Sequence, residues 1–431
     1  MQELTPEAAS RLVRDVDTLA VPLGPGQPAA LLHALGARER FERLEVFAAL
    51  LVDLFPLFAR PGVALLSGFY GPVERALRDA GHAVRFVPAD FRRFARIARQ
   101  MAPRVMGTVA TPPDRDGFCS LALHAGATVD ELLRCGRDPD RVLIVEANPR
   151  LPYTLGLPPE HPHAIHVRDI DVLIHSEREP IALPDANPSD VERAIAAHAA
   201  ALIPEGATLQ TGIGGIPDAV ARILVERSGG DYGVHSEMFT TGLMHLHRAG
   251  KVTNRRKGLH DGVSICTFAM GTRALYDWLG GEGREIVRFL PVEAVNDPAL
   301  IARNRAVVSI NGALSVDLVG QVVADQIGGH EEFVTGAAFS EGGRSLICLP
   351  SQASGNDGPI SRIVTSFPTG SSVTTPRHQV DVVITEYGVA ELAGKTNDAR
   401  REALIAIAHP DARAELAQAS GSGSKPKRGS Q

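Results

Sequence analysis

Short aliphatic and β-branched runs alternate along the chain with longer Ala-, Leu- and Arg-rich segments. Arg141–Glu146, Val172–Ile174 and Val380–Thr385 read as buried strands. Asp190–His198 has apolar positions at helical spacing, and Ser189-Asp190 supplies a start signal for that helix. Thr5-Pro6-Glu7 reads in the same way as a cap, a first-turn proline and an acidic first turn. Alternation of this kind predicts an α/β fold with mostly parallel sheets.

The pattern breaks once, at the proline-rich stretch 180–188, which places a boundary near residue 187. It divides the chain into domains 1–187 and 188–417, followed by a Gly/Ser/Lys-rich tail, 418–431, expected to be disordered. The two halves share a strand, a glycine-containing loop and a helix that starts near a proline. In one this unit begins at Asp17–Gly26, in the other at Ala207–Ile216. Two similar open α/β domains facing across a cleft would place a ligand between them. Such units are also common in unrelated α/β proteins.

Composition narrows the function classes. The 431 residues carry 44 Lys+Arg against 50 Asp+Glu, a net charge of −6, which argues against nucleic acid or an anionic membrane as partner. No apolar run approaches the roughly 18 residues of a membrane span, and the N-terminus has no apolar core of a signal peptide. Cys119, Cys135, Cys266 and Cys348 stand far apart without metal-ligand spacing. They are expected to be reduced thiols, so the predicted location is cytoplasmic and no metal is expected. The 42 glycines against one Trp suggest many loops where backbone must approach something closely.

The sharpest glycine loop is Thr211-Gly212-Ile213-Gly214-Gly215-Ile216-Pro217, with a strand before it and a helix after it. Backbone N–H groups at such a helix start suit a phosphate or a developing oxyanion. The loop matches neither a dinucleotide fingerprint nor a phosphate-binding P-loop, and it reads equally well as a structural turn. A second pair is Gly328-Gly329, before His330-Glu331-Glu332-Phe333. A third, in Ser340–Arg344, reads as a hairpin-like turn into a core strand. His161, His163 and His166 sit in a proline-rich connection and read as loop residues. No nucleophile elbow of the serine-hydrolase type is present. Two carboxylates are candidates for chemistry. Glu237 lies in His235–Gly242 between small polar and apolar residues, and Glu386 follows a strong strand. From the residues alone, Glu237 also reads as a surface or helix-start acid.

Taken together, the segments resemble the acetyl-CoA hydrolase/transferase family, in particular its 4-hydroxybutyrate CoA-transferase-like branch. The stretches that carry the resemblance are ATLQTGIGGIPDAV (207–220), DYGVHSEMFTTGL (231–243), GKVTNRRKGLHDGVSICTFAMGT (250–272), VVSINGALSVDLVGQVVAD (307–325), TTPRHQVDVVITEYGVAELAGKT (374–396) and IAIAHPDARAEL (405–416). PPDRDGFCSLALHAGATVDEL (112–132) also fits. The resemblance runs from Asp17 to about Leu416. It implies a CoA-transferase that moves CoA between an acyl-CoA, such as acetyl-CoA, and a short-chain carboxylate, such as 4-hydroxybutyrate or butyrate. It also implies Glu237 as the nucleophile, through a glutamyl-CoA thioester. Glu386 would then be a supporting acid. Gly328 and Gly329 fall on the family's oxyanion-side glycines. Thr211, Gly212, Ile213, Gly214, Gly215, Asn311 and Gly312 fall on the CoA and substrate side. The resemblance implies no cofactor beyond CoA and acyl-CoA as substrates, and a homo-oligomer, dimer or tetramer. Acetyl-CoA hydrolysis by the same Glu and CoA binding without turnover are the alternative readings. One departure stands out: Ala324–Ile327 runs directly into Gly328-Gly329-His330, shorter than the family pattern. The shortening bears on turnover more than on fold.

Overall fold

The structure is a computed structural model describing residues 1–185, 187–324, 329–355 and 358–421. The expected apolar runs become strands: Val142–Ala147, Val172–His175 and Val382–Thr385. The Ser189 side chain accepts from the Glu192 backbone N–H, and the Glu192 carboxylate accepts in return from the Ser189 N–H. This reciprocal cap starts the helix Asp190–Ala201.

The first half forms an eight-stranded sheet in which every pairing is parallel. Its spatial order is 2–3, 172–175, 142–147, 105–110, 16–20, 43–48, 63–67, 84–86. The chain leaves strand Val16–Ala20 toward one edge and later returns to its other side with Val105–Ala110. That makes the gap between these strands the switch point, where open α/β sheets leave a crevice at the strands' carboxyl ends. The second half repeats the device with six strands in the order 233–234, 208–211, 307–312, 344–348, 382–385, 388–391. Only the last strand is antiparallel. Its switch point lies between Thr208–Thr211 and Val307–Gly312. The two units matched in the sequence thus supply a strand beside the switch point of each sheet.

Every residue of Val105–Ala110 is buried, as expected for a central parallel strand covered on both faces. One apolar cluster runs from Ala20, Phe47 and Phe94 through Leu209 and Ile310 to Ile384, so the halves share a core. A second cluster, including Leu19, Leu31, Leu44 and Phe55, fills the other face of the first sheet. Beside it, Asp17 accepts from Arg104 Nε at 2.8 Å and from the backbone N–H groups of Arg14 and Thr18. Its side chain is 2% exposed.

Three expectations change. Ser340–Arg344 is not a hairpin: it joins the helix Gly329–Phe339 to Arg344–Cys348, which pairs in parallel with Val308–Gly312. Of the three connecting histidines, His166 is not in a loop but ends the strand Ala164–His166, and His163, in a loop as expected, is buried. Its Nε2 lies 3.1 Å from both the Ala122 carbonyl and Thr154 Oγ1, and its ring stacks on Phe289. The last helix, Pro410–Gly421, carries ordered backbone past residue 417, where the tail was expected to start. The rest of that tail, 422–431, lies outside the described residues. No helix among the described residues is long and apolar enough to cross a membrane.

Candidate active site

A cavity of about 400 Å³ opens where the carboxyl ends of the two sheets meet. From the first half it is lined by residues at or just after the ends of its strands, among them Val21, Leu23, Phe47, Leu50 and Phe69, with Phe91 and Phe94 beside them. From the second half come Gln210 and Thr211, Asn311 and Gly312, then Glu237, Gly329 and His330. Both switch points therefore contribute to one site.

Glu237 is held by its neighbours in sequence. His235 is fully buried, with Nε2 at 2.8 Å from the Val295 carbonyl and Nδ1 at 3.3 Å from Asn304 Nδ2. Burial lowers its ring to about 3, which keeps it neutral. Ser236 Oγ is 2.8 Å from the Met238 carbonyl and 3.2 Å from that of Thr211, tying this segment to the glycine loop. The Glu237 carbonyl accepts from the N–H groups of Thr267 and Phe268. The backbone is thus pinned on both sides, and the carboxylate is presented to the cavity.

The carboxylate itself has one side-chain donor. Asn296 Nδ2 lies 2.6 Å from Glu237 Oε2 and 2.7 Å from Glu332 Oε2. An amide nitrogen has two hydrogens, so one asparagine serves both acids. Glu332 is fully buried, and its other oxygen accepts from the Arg92 N–H at 3.0 Å, a link from the first half of the chain. Burial pushes Glu237 up to about 7, and the Asn296 bond opposes it. Burial also pushes Glu332 up to about 8, with the Asn296 and Arg92 bonds opposing and the nearby Glu237 charge adding to the rise. A carboxylate withdrawn from water and lightly hydrogen-bonded is a better nucleophile than a solvated one.

Gly329, at the start of the helix Gly329–Phe339, packs its Cα against this group. A Cβ there would overlap Glu237 Oε2. Only glycine lets the backbone come so close. Next to it, His330 is 9% exposed, and its Nε2 has no partner among the described residues. Burial lowers its ring to about 4, against the opposing bond to the Gly312 carbonyl. Across the mouth, Gln210 and Asn311 exchange amide hydrogen bonds at 3.3 and 3.2 Å.

Of the residues singled out by the sequence, Thr211, Gly212, Ile213, Glu237, Asn311, Gly312 and Gly329 line this one cavity. Gly214 and Gly215 do not line it. Gly214, at φ +123, starts the helix Gly215–Glu226, and Gly215 packs against the Glu192 carboxylate. Gly328, and with it most of the shortened segment, lies outside the described residues. Glu386 is away from the cavity and accepts from Ser351 N–H and Oγ at 2.9 and 2.6 Å, a supporting role. Sequence reasoning missed Asn296, Glu332, Gln210 and the aromatic wall. Only Glu332 carried a signal, three residues after the Gly pair. Among the described residues no group of three or more His, Cys, Asp or Glu side chains is arranged to hold a metal ion.

Known proteins share both the sequence and this architecture. Residues 271–420 match the family model of the acetyl-CoA hydrolase/transferase C-terminal domain. The chain is 36% identical over 430 residues to a succinyl-CoA:cyclohexane-1-carboxylate CoA transferase of Geobacter metallireducens, covering 96% of this chain and 94% of that protein. It is 41% identical over 312 residues to a 4-hydroxybutyrate coenzyme A transferase of Clostridium kluyveri, covering 70% and 69%. The crystal structure of RipA from Yersinia pestis matches with a TM-score of 0.87 at 34% identity, covering 98% of this chain and 97% of that one. On sequence and fold together, this chain belongs to the acetyl-CoA hydrolase/transferase family, among the CoA-transferases.

Proposed function

We propose that the protein transfers CoA between an acyl-CoA and a short-chain carboxylate, with Glu237 as nucleophile. The observation that carries this reading is the placement of Glu237. It faces a cavity between the sheets, is held by Asn296, and lies against the backbone of Gly329.

In the first step Glu237 attacks the thioester carbonyl carbon, the C–S bond breaks, and CoA leaves as thiolate. The acyl group is then an anhydride on Glu237. The thiolate attacks the glutamyl carbonyl, the anhydride C–O bond breaks, and the donor leaves as a free carboxylate. The enzyme is left as a Glu237–CoA thioester. A second carboxylate runs the same steps in reverse and departs as the new acyl-CoA. Each step exchanges groups of similar energy and calls for no metal or resident cofactor. The Asn296 amide, which donates to Glu237, would stabilise the oxyanion that forms on the glutamyl side, with the Gly329 backbone close beside it. Gly212, Ile213, Asn311 and Gly312 form the opposite rim, suited to the pantetheine arm of CoA, whose distant binding orients the thioester. The relatives' names support butyrate- or 4-hydroxybutyrate-like acids as partners, with acetyl-CoA as a donor. A homo-oligomer in a reducing, cytoplasmic setting completes the proposal, the four cysteines being buried free thiols.

Initial rates with acetyl-CoA and butyrate test this. Transfer predicts parallel double-reciprocal lines and butyryl-CoA as product. Free thiol released without an acceptor would mean hydrolysis. CoA binding without turnover, unchanged in Glu237→Ala, would mean a binding protein.

A further inference from the structure

The wall that faces Glu237 from the first half of the chain is almost wholly apolar. Phe47, Phe69, Phe91 and Phe94 line it together with Leu23 and Leu50. Met238, the residue after Glu237, packs into the same apolar cluster as Leu23, Leu50, Phe91 and Phe268. The wall thus begins at the reacting carboxylate and runs away from it. Phe47 and Phe94 stack on each other, which sets the far side.

Charge on the cavity is as one-sided as its polarity. Among the described residues no Lys or Arg lines it. The two guanidiniums between Phe91 and Phe94 in sequence are engaged by acids, Arg92 by Asp90, Asp297 and Glu332, and Arg93 by Asp90. Among the described residues the ionisable lining groups are Glu237 itself and His330, whose ring is buried. A second carboxylate on the acyl chain would therefore sit in an apolar chamber, without a cation and near another acid. That arrangement is strongly unfavourable. The chamber is also larger than an acetyl group needs, within the range of about 300–1,000 Å³ of sites that enclose small ligands.

We propose that the acids favoured as CoA acceptors at Glu237 are apolar monocarboxylic acids larger than acetate, straight, branched or cyclic, and that dicarboxylic acids are excluded. This inference rests on the transfer reading above and names the substrate class of the same site. Selectivity comes from the first half of the chain, while the chemistry comes from the second.

The test uses the full-length protein with propionyl-CoA as donor, so that every product differs from it, and five acceptors: acetate, butyrate, hexanoate, cyclohexanecarboxylate and succinate. Each new acyl-CoA is quantified by chromatography, and kcat/KM is taken for the acceptor. Each methylene from acetate to hexanoate is expected to raise kcat/KM about fourfold. Cyclohexanecarboxylate should fall with hexanoate. Succinate, with the same four carbons as butyrate, should be about a hundredfold poorer or worse. Succinate within tenfold of butyrate, or acetate preferred over hexanoate, overturns the inference while leaving transfer intact. If no acyl-CoA forms with any acceptor, the transfer reading falls and takes this inference with it.

Discussion

Gly329→Ala is the most informative single substitution, because it should lower activity far more than stability. The added Cβ overlaps Glu237 Oε2. Glu237 cannot retreat freely, since Asn296 holds the same oxygen at 2.6 Å and the flanking His235 and Ser236 are buried and bonded. Clearing the overlap needs a displacement of at least about 1 Å, and a shift of that size at a reacting group costs on the order of 10²-fold in rate. That corresponds to about 2.7 kcal/mol of lost transition-state stabilisation. Yet Ala is a better helix residue than Gly by up to about 1 kcal/mol, so the helix Gly329–Phe339 has no intrinsic reason to weaken. The assay pairs kcat/KM for acetyl-CoA with thermal unfolding. A variant with a Tm within a few degrees of the wild type and about a hundredfold less activity is expected. Activity within threefold of wild type at unchanged Tm would refute the close approach of this backbone to the nucleophile.

Three further outcomes follow, two from the same network and one from the first sheet. Activity that needs ionised Glu237 rises with pH through about 7; Asn296→Ala removes the bond that lowers this value, so the acid limb of kcat/KM should move to higher pH, and an unmoved limb would separate Asn296 from the nucleophile. Because folding raises Glu237 from 4.5 to about 7, the folded chain keeps a proton that the unfolded chain releases, so stability falls as pH rises across that window. Glu237→Gln should match wild type near pH 4.5 and melt several degrees higher at pH 8; equal melting at both would contradict the raised value. Asp17→Ala leaves Arg104 without its carboxylate in a largely buried site and should destabilise by about 3 kcal/mol in denaturant unfolding, with no effect on the pH profile.

The alternation of apolar runs and helical segments was enough to anticipate two open parallel sheets, because strands such as Val142–Ala147 are buried on both faces and tolerate almost no polar residue. The site was legible only in part. Glu237 stood out through the run of motifs around it, since an isolated acid between small residues also fits a surface turn. Asn296 and Glu332 escaped notice because their meaning lies in contacts across 59 and 36 residues of chain, which no local pattern encodes. Phe47, Phe69, Phe91 and Phe94 were invisible as a substrate wall for a related reason. Each fits the apolar period of a core, and only the meeting of the two sheets turns them toward a cavity. The glycine loop divides at its end: Gly214 and Gly215 form the turn into a helix, while Gly212 and Ile213 line the cavity.

The central claim is that Glu237 becomes covalently acylated and then carries CoA. Incubation with an acyl-CoA, capture by hydroxylamine or borohydride, and peptide mass analysis test it directly. The account predicts a modification on the peptide containing Glu237, absent in Glu237→Gln and with no other acidic residue labelled. Turnover with Glu237 unmodified, or capture at another carboxylate, would contradict it.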